Sequence, residues 1–311
     1  MNKFTQVSDV EDVSALITEA IRLKADPFLS DIGSQKTLAM IFLNPSLRTR
    51  MSTQKAAQNL GMNTIVMNMG KDGWALEFED GVVMDGNTVE HIKDAAQVIS
   101  QYCDILAIRS FAKFEDRKED YNEQVLNQLI EHASVPVVSM ESATRHPLQS
   151  LADLVTIAET GIKKPKIAVT WAPHPKPLPH AVVNSFLEWI QTTEADVTLT
   201  HPKGYELDEE FSGGVEVNYD QEEALRDADF VYTKSWASYT QYGQRPPVEG
   251  NWTVTAEKMN LTNNGRFMHC LPIRRNVVAE DTVIDNSIVY EQARNRVCSC
   301  QAVLKNILEA H

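Results

Sequence analysis

The chain has 311 residues, of which 43% are hydrophobic and 23% charged, a composition typical of a folded globular protein and not of a disordered one. Its 43 acidic side chains outnumber its 29 basic ones, and the net charge of −14 disfavours nucleic acid or an anionic membrane as a partner. An anionic substrate would therefore require a local cluster of arginines. At this length we expect two domains, each with its own core.

Cysteine usage and the N-terminal segment bear on the cellular compartment. Four cysteines are too few for a disulfide scaffold at this length, and their spacing from the histidines matches no metal motif. We therefore expect reduced thiols. The first 13 residues contain no apolar stretch like that of a secretory leader, and no segment approaches the roughly 20 apolar residues that cross a membrane. A cytoplasmic enzyme is expected.

The first half of the chain alternates between apolar, strand-like runs and segments with helical periodicity. The predicted strands are residues 37–43, 63–67, 104–109 and 135–139, and the predicted helices are residues 46–60, 89–100 and 121–133. This order predicts a doubly wound α/β domain with a parallel sheet, whose ligands bind at the carboxyl ends of the strands. Residues 70–87 form a long loop around Trp74, and loops of this length inside a domain are usually functional.

The second half repeats this alternation after a predicted connecting helix at residues 147–160. The predicted strands are residues 166–170, 197–200, 230–233 and 266–271, and the predicted helices are residues 181–191, 222–226 and a terminal helix from Glu291. The terminal helix has one apolar face and must dock on the rest of the protein. We therefore predict two doubly wound parallel-sheet domains, at residues 1–147 and 148–290, and a C-terminal helix at residues 291–311 that packs back on the first domain.

Residues 44–50 (NPSLRTR) are predicted to lie where a strand runs into the N-terminus of a helix. Ser46 is predicted to cap this helix, whereas Arg48 and Arg50 fall in its first turn, where the positive end of the helix dipole disfavours cations. Two arginines in this position, together with Thr49 and the turn amides, favour a bound anion such as phosphate. The alternative is a solvated helix start with both arginines turned to water.

Three further polar clusters fall at predicted strand ends or loops, namely Arg109, residues 146–149 and residues 269–275. A histidine and a glutamine at the start of one helix, as at His146 and Gln149, can both face one substrate carbonyl, although a helix cap or a buried histidine would explain His146 equally well. Covalent catalysis by Cys270 with His269 is disfavoured, because adjacent residues on a strand face opposite ways.

Other common binding motifs are absent from the sequence. There is no P-loop and no dinucleotide-binding glycine motif. His174 and His180 flank a proline-rich loop, but no third metal ligand lies nearby in the sequence, and loop histidines are the simpler interpretation.

Together, the polar clusters resemble the carbamoyltransferase family, the aspartate and ornithine transcarbamylases, over nearly the whole chain. Residues 46–50 (SLRTR) resemble the carbamoyl-phosphate motif S-x-R-T-R, residues 146–149 (HPLQ) the motif H-P-x-Q, and residues 269–272 (HCLP) the motif H-C-L-P of the ornithine branch. The order and spacing of the motifs also agree. The resemblance implies one domain for carbamoyl phosphate, one for the amine, and a homotrimer with active sites between subunits. It also implies that neither a metal nor a cofactor takes part.

The resemblance also implies roles for individual residues. Carbamoyl phosphate would be bound by Ser46, Leu47, Arg48, Thr49, Arg109 and His146, with Trp74 offered by a neighbouring chain. The catalytic set would be Arg109, His146, Gln149, Cys270 and Arg274. In this scheme the carbonyl oxygen is polarised by His146, Gln149 and either Arg109 or Thr49, and the neutral δ-amine attacks and expels phosphate. Cys270 and the carbonyl of Leu271 would orient the amine.

The chain departs from the ornithine enzymes in the loop that binds the substrate's α-amino group. Those enzymes carry an aspartate followed by S-M-G, whereas this loop reads Thr233-Lys234-Ser235-Trp236. A lysine cannot bind an α-ammonium group but can bind a carboxylate or an amide oxygen, so we expect an acylated α-nitrogen. The arginine-rich ending after H-C-L-P also resembles the acylornithine branch. The residues expected to bind the acylornithine are Val89, Glu141, His174, Lys234, Cys270, Leu271 and Arg274.

Val89 bears on the identity of the acyl group. In the N-acetylornithine enzymes a glutamate stands at this position, and a carboxylate there would repel a succinyl carboxylate, whereas an apolar residue would not. Val89 therefore favours N-succinylornithine over N-acetylornithine as the acceptor in arginine biosynthesis. The alternative is that Val89 simply begins a helix. A catalytically silent metabolite-binding paralogue is the alternative from another functional class.

Overall fold

The computed structural model describes residues 1–29 and 31–311. The elements of the first half are β1 (Lys3–Phe4), α1 (Val13–Ala25), β2 (Thr37–Phe42), α2 (Arg48–Asn59), β3 (Asn63–Asn68), β4 (Leu76–Glu77), β5 (Glu90–His91), α3 (Ile92–Ser100), β6 (Ile105–Arg109), α4 (Arg117–Tyr121), α5 (Gln124–His132), β7 (Val137–Glu141) and α6 (Pro147–Ala158). Five of these strands form a sheet in the order β1-β7-β6-β2-β3, in which every ladder is parallel.

The second half contains another sheet of the same kind. Its elements are β8 (Lys166–Trp171), α7 (Ala181–Ile190), β9 (Asp196–Thr200), α8 (Glu209–Ser212), β10 (Glu216–Asn218), α9 (Gln221–Leu225), β11 (Phe230–Lys234), α10 (Ala256–Met259), β12 (Arg266–Met268), α11 (Asp281–Asp285) and α12 (Val289–Ala310). The strand order is β10-β9-β8-β11-β12, again with parallel ladders throughout. The predicted fold class, with two doubly wound parallel sheets, is confirmed.

The winding of each sheet reverses at one place. The chain moves outward from β2 to β3 and then crosses back to β6, so the first reversal lies between β2 and β6; the second lies between β8 and β11 by the same reasoning. Ligands of open α/β sheets bind at such reversals, outside the carboxyl ends of the strands. Each sheet therefore offers one half of a site.

The two sheets share one apolar core, which differs from the separate cores expected from chain length. A continuous cluster of buried side chains includes Met40 on β2, Leu151 on α6, Val169 on β8 and Leu304 on α12. Helix α6 is buried along its length except at its last residue, and α12 packs against α1, α2 and α6. These two helices join the halves. The exact domain boundaries stay a prediction.

Several elements begin or end elsewhere than predicted. Ser46 is not the cap of α2, because Leu47 takes the cap position in a helical conformation and its carbonyl accepts the amide of Met51. Helix α3 begins at Ile92 and not at residue 89, since residues 90–91 pair with β4 as a short strand.

The predicted helix at residues 121–133 is two helices, broken at Glu123, whose φ of 51° lies in the left-handed region. The predicted strand at residues 266–271 ends at Met268. Within residues 1–29 and 31–311, no helix is both long and apolar enough to span a membrane.

Candidate active site

A cavity of about 480 Å³ opens between the carboxyl ends of the two sheets, where both strand orders reverse. It brings together residues from all four predicted clusters. Its lining includes Ser46, Leu47, Arg48, Thr49, Arg109, Glu141, His146, Gln149, His174, Lys234, Cys270, Leu271, Arg274 and Arg296. A wider groove of about 1050 Å³ lies between the N-terminal segment and α12, but its walls carry none of the motif residues.

The cavity is cationic although the chain as a whole is acidic. Its walls carry five cationic side chains and one carboxylate; these are Arg48, Arg109, Lys234, Arg274 and Arg296, with Glu141. In a chain with a net charge of −14, this concentration of positive charge favours an anionic ligand at this place. Among the described residues, no cluster of histidine, cysteine and carboxylate side chains has the geometry of a metal site.

Arg109, at the end of β6, is held by the turn that follows β2. Its Nη1 donates to the carbonyls of Asn44 and Pro45 at 3.0 and 2.8 Å, and its Nη2 donates to Glu141 Oε2 at 3.1 Å. The guanidinium also lies 3.9 Å from the ring centre of Phe111. Its Nε is buried and has no partner among the described residues.

Glu141 and His146 form a buried polar pair beside Arg109. His146 Nε2 lies 3.5 Å from Glu141 Oε2. Burial raises the pKa of Glu141, an effect that Arg109 opposes, and burial lowers the pKa of His146 well below its usual value. His146 is therefore neutral at neutral pH and can donate one hydrogen bond. Its Nδ1 is buried without a partner in the described part of the chain.

The turn before His146 is organised by a single carboxylate. Glu123 Oε1 accepts hydrogen bonds from the hydroxyl of Ser142 and from the amide and hydroxyl of Thr144, at 2.5 to 2.8 Å. These bonds fix the loop that leads from β7 into α6. His146 thus enters the cavity from a rigid support.

Arg296 completes the half of the cavity that holds residues 46–49 and 146–149, and sequence reasoning missed it. It lies on α12, is 6% exposed, and donates to Gln149 Oε1 at 2.7 Å and to Thr49 Oγ1 at 2.8 Å. It thereby joins the motifs at residues 46–50 and 146–149. Arg50 turns away, since it donates to Asn68 and lies over the ring of Phe42. The second cation of the anion site is thus not Arg50.

The other half of the cavity gathers residues that follow strands of the second sheet. Arg274 Nε donates to His174 Nε2 at 3.1 Å, and burial lowers the pKa of His174. Lys234 lies at the carboxyl end of β11, next to the loop after β8 that carries His174. The structure therefore brings His174, Lys234 and Arg274 together in the lining of one cavity, and their role in binding stays a prediction.

The turn at residues 269–272 lines the cavity, but its cysteine, Cys270, is not an activated nucleophile. Burial raises the pKa of Cys270, so its sulfur is a thiol at neutral pH. His269 Nδ1 accepts a hydrogen bond from the backbone amide of Leu271 at 2.9 Å. The histidine therefore stabilises the turn and does not act as a base for the Cys270 thiol. Leu271 has a φ of 57°, a conformation that costs about 1 kcal/mol or more for a side chain other than glycine. Covalent catalysis by Cys270 is disfavoured on this geometry.

Trp74 and Val89 lie outside the cavity of their own chain. Val89 is 64% exposed and Trp74 is 53% exposed. Both residues lie next to the short ladder of β4 and β5. Trp74 Nε1 donates to Glu90 Oε2 at 2.8 Å, and the amide of Val89 donates to the carbonyl of Ala75. Leu47, at the mouth of the cavity, is also exposed.

The chain belongs to the aspartate/ornithine carbamoyltransferase family. Residues 2–159 match its carbamoyl-P binding domain and residues 179–307 match its Asp/Orn binding domain. The predicted family and the predicted class of enzyme, a carbamoyltransferase, are confirmed.

Particular members of this family resemble the chain over almost its full length. It is 53% identical to the N-succinylornithine carbamoyltransferase of Bacteroides fragilis, with 99% of each chain covered. It is 38% identical to the N-acetylornithine carbamoyltransferase of Xanthomonas campestris, with 94% of this chain and 93% of that protein covered. The crystal structure of an N-acetyl-L-ornithine transcarbamylase with a glutamate-to-valine substitution, complexed with carbamyl phosphate and N-succinyl-L-norvaline, has a TM-score of 0.93 at 37% identity, covering 99% of this chain and 100% of that one.

Proposed function

We propose that this protein transfers the carbamoyl group of carbamoyl phosphate to the δ-amine of N-succinyl-L-ornithine, giving N-succinyl-L-citrulline and phosphate. The observation that carries the proposal is the acceptor half of the cavity, where Lys234 and Arg274 lie among the lining residues. N-succinylornithine carries two carboxylates and no α-ammonium group, so two cations match its charge. The similarity to the Bacteroides fragilis enzyme supports the same acceptor.

The donor half fits carbamoyl phosphate. Arg48, Thr49 and Arg109, with Ser46 and the turn amides, bind the phosphate, while His146 donates to the carbonyl oxygen. The neutral δ-amine attacks the carbonyl carbon, and the negative charge that develops on the oxygen is stabilised by donors already in place. The tetrahedral intermediate then breaks its carbon–oxygen bond to phosphate, and the departing phosphate takes up the proton that the attacking nitrogen loses. Most of the acceleration comes from preorganised donors and from holding the two substrates together.

The remaining roles concern the acceptor. Glu141, His174, Lys234 and Arg274 bind the acylornithine, and the carbonyl of Leu271 with the thiol of Cys270 orients the δ-amine. In this structure Glu141 pairs with Arg109 on the donor side, so it stands between the two half-sites. Gln149 donates its side-chain nitrogen to Asp153 and presents its oxygen to Arg296, so it is an acceptor on the cavity side. The role that the resemblance implies for it, polarising the carbonyl oxygen, needs a donor and does not fit this orientation.

The protein is proposed to act as a homotrimer in the cytoplasm, in arginine biosynthesis. The exposed positions of Trp74 and Val89, outside the cavity of their own chain, support delivery of both side chains to a neighbouring subunit's site. Trp74 then contacts carbamoyl phosphate, and Val89 lies against the acyl group.

Solved structures of relatives support Val89 as the selector of the acyl group. N-acetyl-L-ornithine transcarbamylases in which one glutamate is replaced by alanine, valine, serine or proline were crystallised with carbamyl phosphate and N-succinyl-L-norvaline. We infer that this glutamate is the one that the resemblance places at Val89. The glutamate-to-valine variant of that transcarbamylase then has, at this position, the same residue as this chain, namely valine.

Assays with carbamoyl phosphate and each of three amines test the proposed function. We expect rapid formation of N-succinylcitrulline from N-succinylornithine, slower conversion of N-acetylornithine, and none of ornithine, measured by a colorimetric ureido assay and by mass spectrometry. Preference for N-acetylornithine would support the alternative acceptor. No citrulline derivative from any amine would contradict the proposed function and favour a silent paralogue.

The substitution Val89→Glu tests the selector. We expect it to lower kcat/KM for N-succinylornithine by about 100-fold, because a like charge close to a desolvated carboxylate costs several kcal/mol, and to spare N-acetylornithine. Val83→Glu is the matched control, since Val83 is 75% exposed on the same loop and the charge added is the same. An unchanged ratio of the two kcat/KM values in Val89→Glu would remove Val89 as the selector.

A further inference from the structure

Asp153 is a buried carboxylate that the proposed mechanism does not use. It lies on α6, is completely buried, and accepts three hydrogen bonds. Gln149 Nε2 and Gln292 Nε2 each donate to Oδ1 at 2.7 Å, and the hydroxyl of Tyr232 donates to Oδ2 at 2.8 Å. Both carboxylate oxygens are therefore engaged, although the residue is remote from solvent.

The partners of Gln149 determine the orientation of its side-chain amide. An ionised carboxylate only accepts hydrogen bonds, and a guanidinium only donates them. Because Gln149 lies between Asp153 and Arg296, its nitrogen must face the carboxylate and its oxygen must face the arginine. Rotating the amide by 180° would replace both hydrogen bonds with repulsive contacts. The oxygen of Gln149 is thus held on the side of Arg296 and the cavity.

Asp153 is also connected to the acceptor half of the cavity, by way of Gln292 on α12. Gln292 donates to Asp153 with its nitrogen and accepts the backbone amide of His269 with its oxygen, at 2.9 Å. His269 begins the turn that presents Leu271 to the cavity. One buried group therefore fixes a side chain of the donor half and the backbone of the acceptor half.

We propose that Asp153 is a positioning residue for carbamoyl transfer, which acts by locking the Gln149 amide with its oxygen toward Arg296 and the cavity. The inference deepens the proposed function and rests on it. Asp153 touches neither substrate, and its contribution is the geometry of Gln149.

The ionisation of Asp153 adds a readout for this role. Burial raises its pKa to about 6, while the hydroxyl of Tyr232, the two amide donors and the charge of Arg296 oppose the increase. The other titratable group that faces it is the thiol of Cys270, which stays neutral because burial raises its pKa. Below pH 6 Asp153 is protonated, and its O–H group can donate a hydrogen bond. The carboxyl group then no longer requires the nitrogen of Gln149 to face it, so the orientation of the Gln149 amide is less strongly fixed. The rate should therefore fall as the pH decreases through about 6.

A double-mutant cycle tests whether Asp153 acts through Gln149. We expect Asp153→Asn to lower kcat by about 10- to 100-fold in the wild-type background, because a small displacement of a catalytic group has an effect of this size. In a Gln149→Ala background the same substitution should change kcat by less than about twofold, since the group to be positioned is absent. Equal losses in both backgrounds would overturn the proposal.

Two further variants separate positioning from packing. Thr156→Val is the structural control, because Thr156 lies one turn further along α6. Removing its hydroxyl breaks two buried hydrogen bonds, one to the carbonyl of Ala152 and one from Asn295 of α12, and neither involves Asp153 or Gln149. Its kcat should equal that of the wild type. Tyr232→Phe removes one hydrogen-bond donor from Asp153 and retains the stacking on Phe186. Because that hydrogen bond lowers the pKa of Asp153, its loss should raise this pKa, and the decrease of kcat on the acid side of the pH profile should begin at a higher pH. This second variant also decides the matter if Asp153→Asn does not fold, and a decrease that begins at the same pH would overturn the proposal.

The wild-type protein is assayed first with all three amines. Inactivity with every amine would contradict the proposed function itself. An active wild type with additive losses in the cycle would contradict only the role of Asp153.

Discussion

Arg109→Met is expected to lower kcat/KM for carbamoyl phosphate by about 1000-fold, because it removes a preorganised donor from the centre of the cavity. It is also expected to destabilise the protein by about 3 kcal/mol at neutral pH, since Glu141 then remains buried without its cation. Arg109 opposes the increase in the pKa of Glu141 that burial causes. Its loss lets that pKa rise further, and the deficit in stability should therefore shrink as the pH is lowered and Glu141 becomes protonated.

The double variant Arg109→Met/Glu141→Gln separates the two effects. Replacing Glu141 removes the unpaired charge, so we expect urea unfolding to show recovered stability while kcat/KM stays low. Recovery of activity in the double variant would mean that Arg109 serves only to neutralise Glu141.

Arg296→Met is expected to lower kcat/KM by about 100-fold, because Thr49 and Gln149 lose the donor that joins them. Steady-state kinetics with carbamoyl phosphate varied at saturating acceptor give the measurement. Arg294→Met is the control, since Arg294 lies on the same helix but is exposed, and it should leave both kinetic constants unchanged. Kinetic constants within twofold of the wild type in Arg296→Met would remove Arg296 from the site.

Most of the candidate site could be predicted because its residues lie in short motifs at strand ends. The segments at residues 46–50, 146–149 and 269–274 are distant in sequence, and the rules for parallel sheets bring the ends of their strands to one edge. The long strands could also be predicted, because each of them is a run of apolar residues in the sequence. The two-residue strands β4 and β5 escaped prediction, since pairing across a long loop leaves no local pattern.

Arg296 escaped prediction because hydrophobic periodicity cannot detect a polar residue on a buried face. The apolar residues that show the helical periodicity of the terminal helix are Val297, Cys300, Leu304 and Ile307. The buried face of the helix begins about one and a half turns before Val297. In this part its buried side chains are polar; they are Gln292, Asn295, Arg296 and Ser299. Their spacing of three and four residues continues the apolar stripe toward the N-terminus of the helix, and this continuation was the available signal.

The error at Ser46 has a different cause. Serine is a good cap in isolation, but residues 44 and 45 use their carbonyls to hold Arg109, and the chain then enters the helix through Leu47. A tertiary contact thus overrides the local preference for serine. Such contacts cannot be recognised from the segment alone.

Helix α12 also constrains how such a protein can diverge. It packs on α2 and α6, and through Gln292 and Arg296 it contacts the motifs of both half-sites. A substitution at either residue therefore disturbs both motifs at once, whereas Lys234 and Arg274 lie on or after strands of the second sheet and contact neither of these two side chains through a hydrogen bond in the described part of the chain. A change at α12 is thus expected to affect the whole cavity, and a change at Lys234 or Arg274 one side of it.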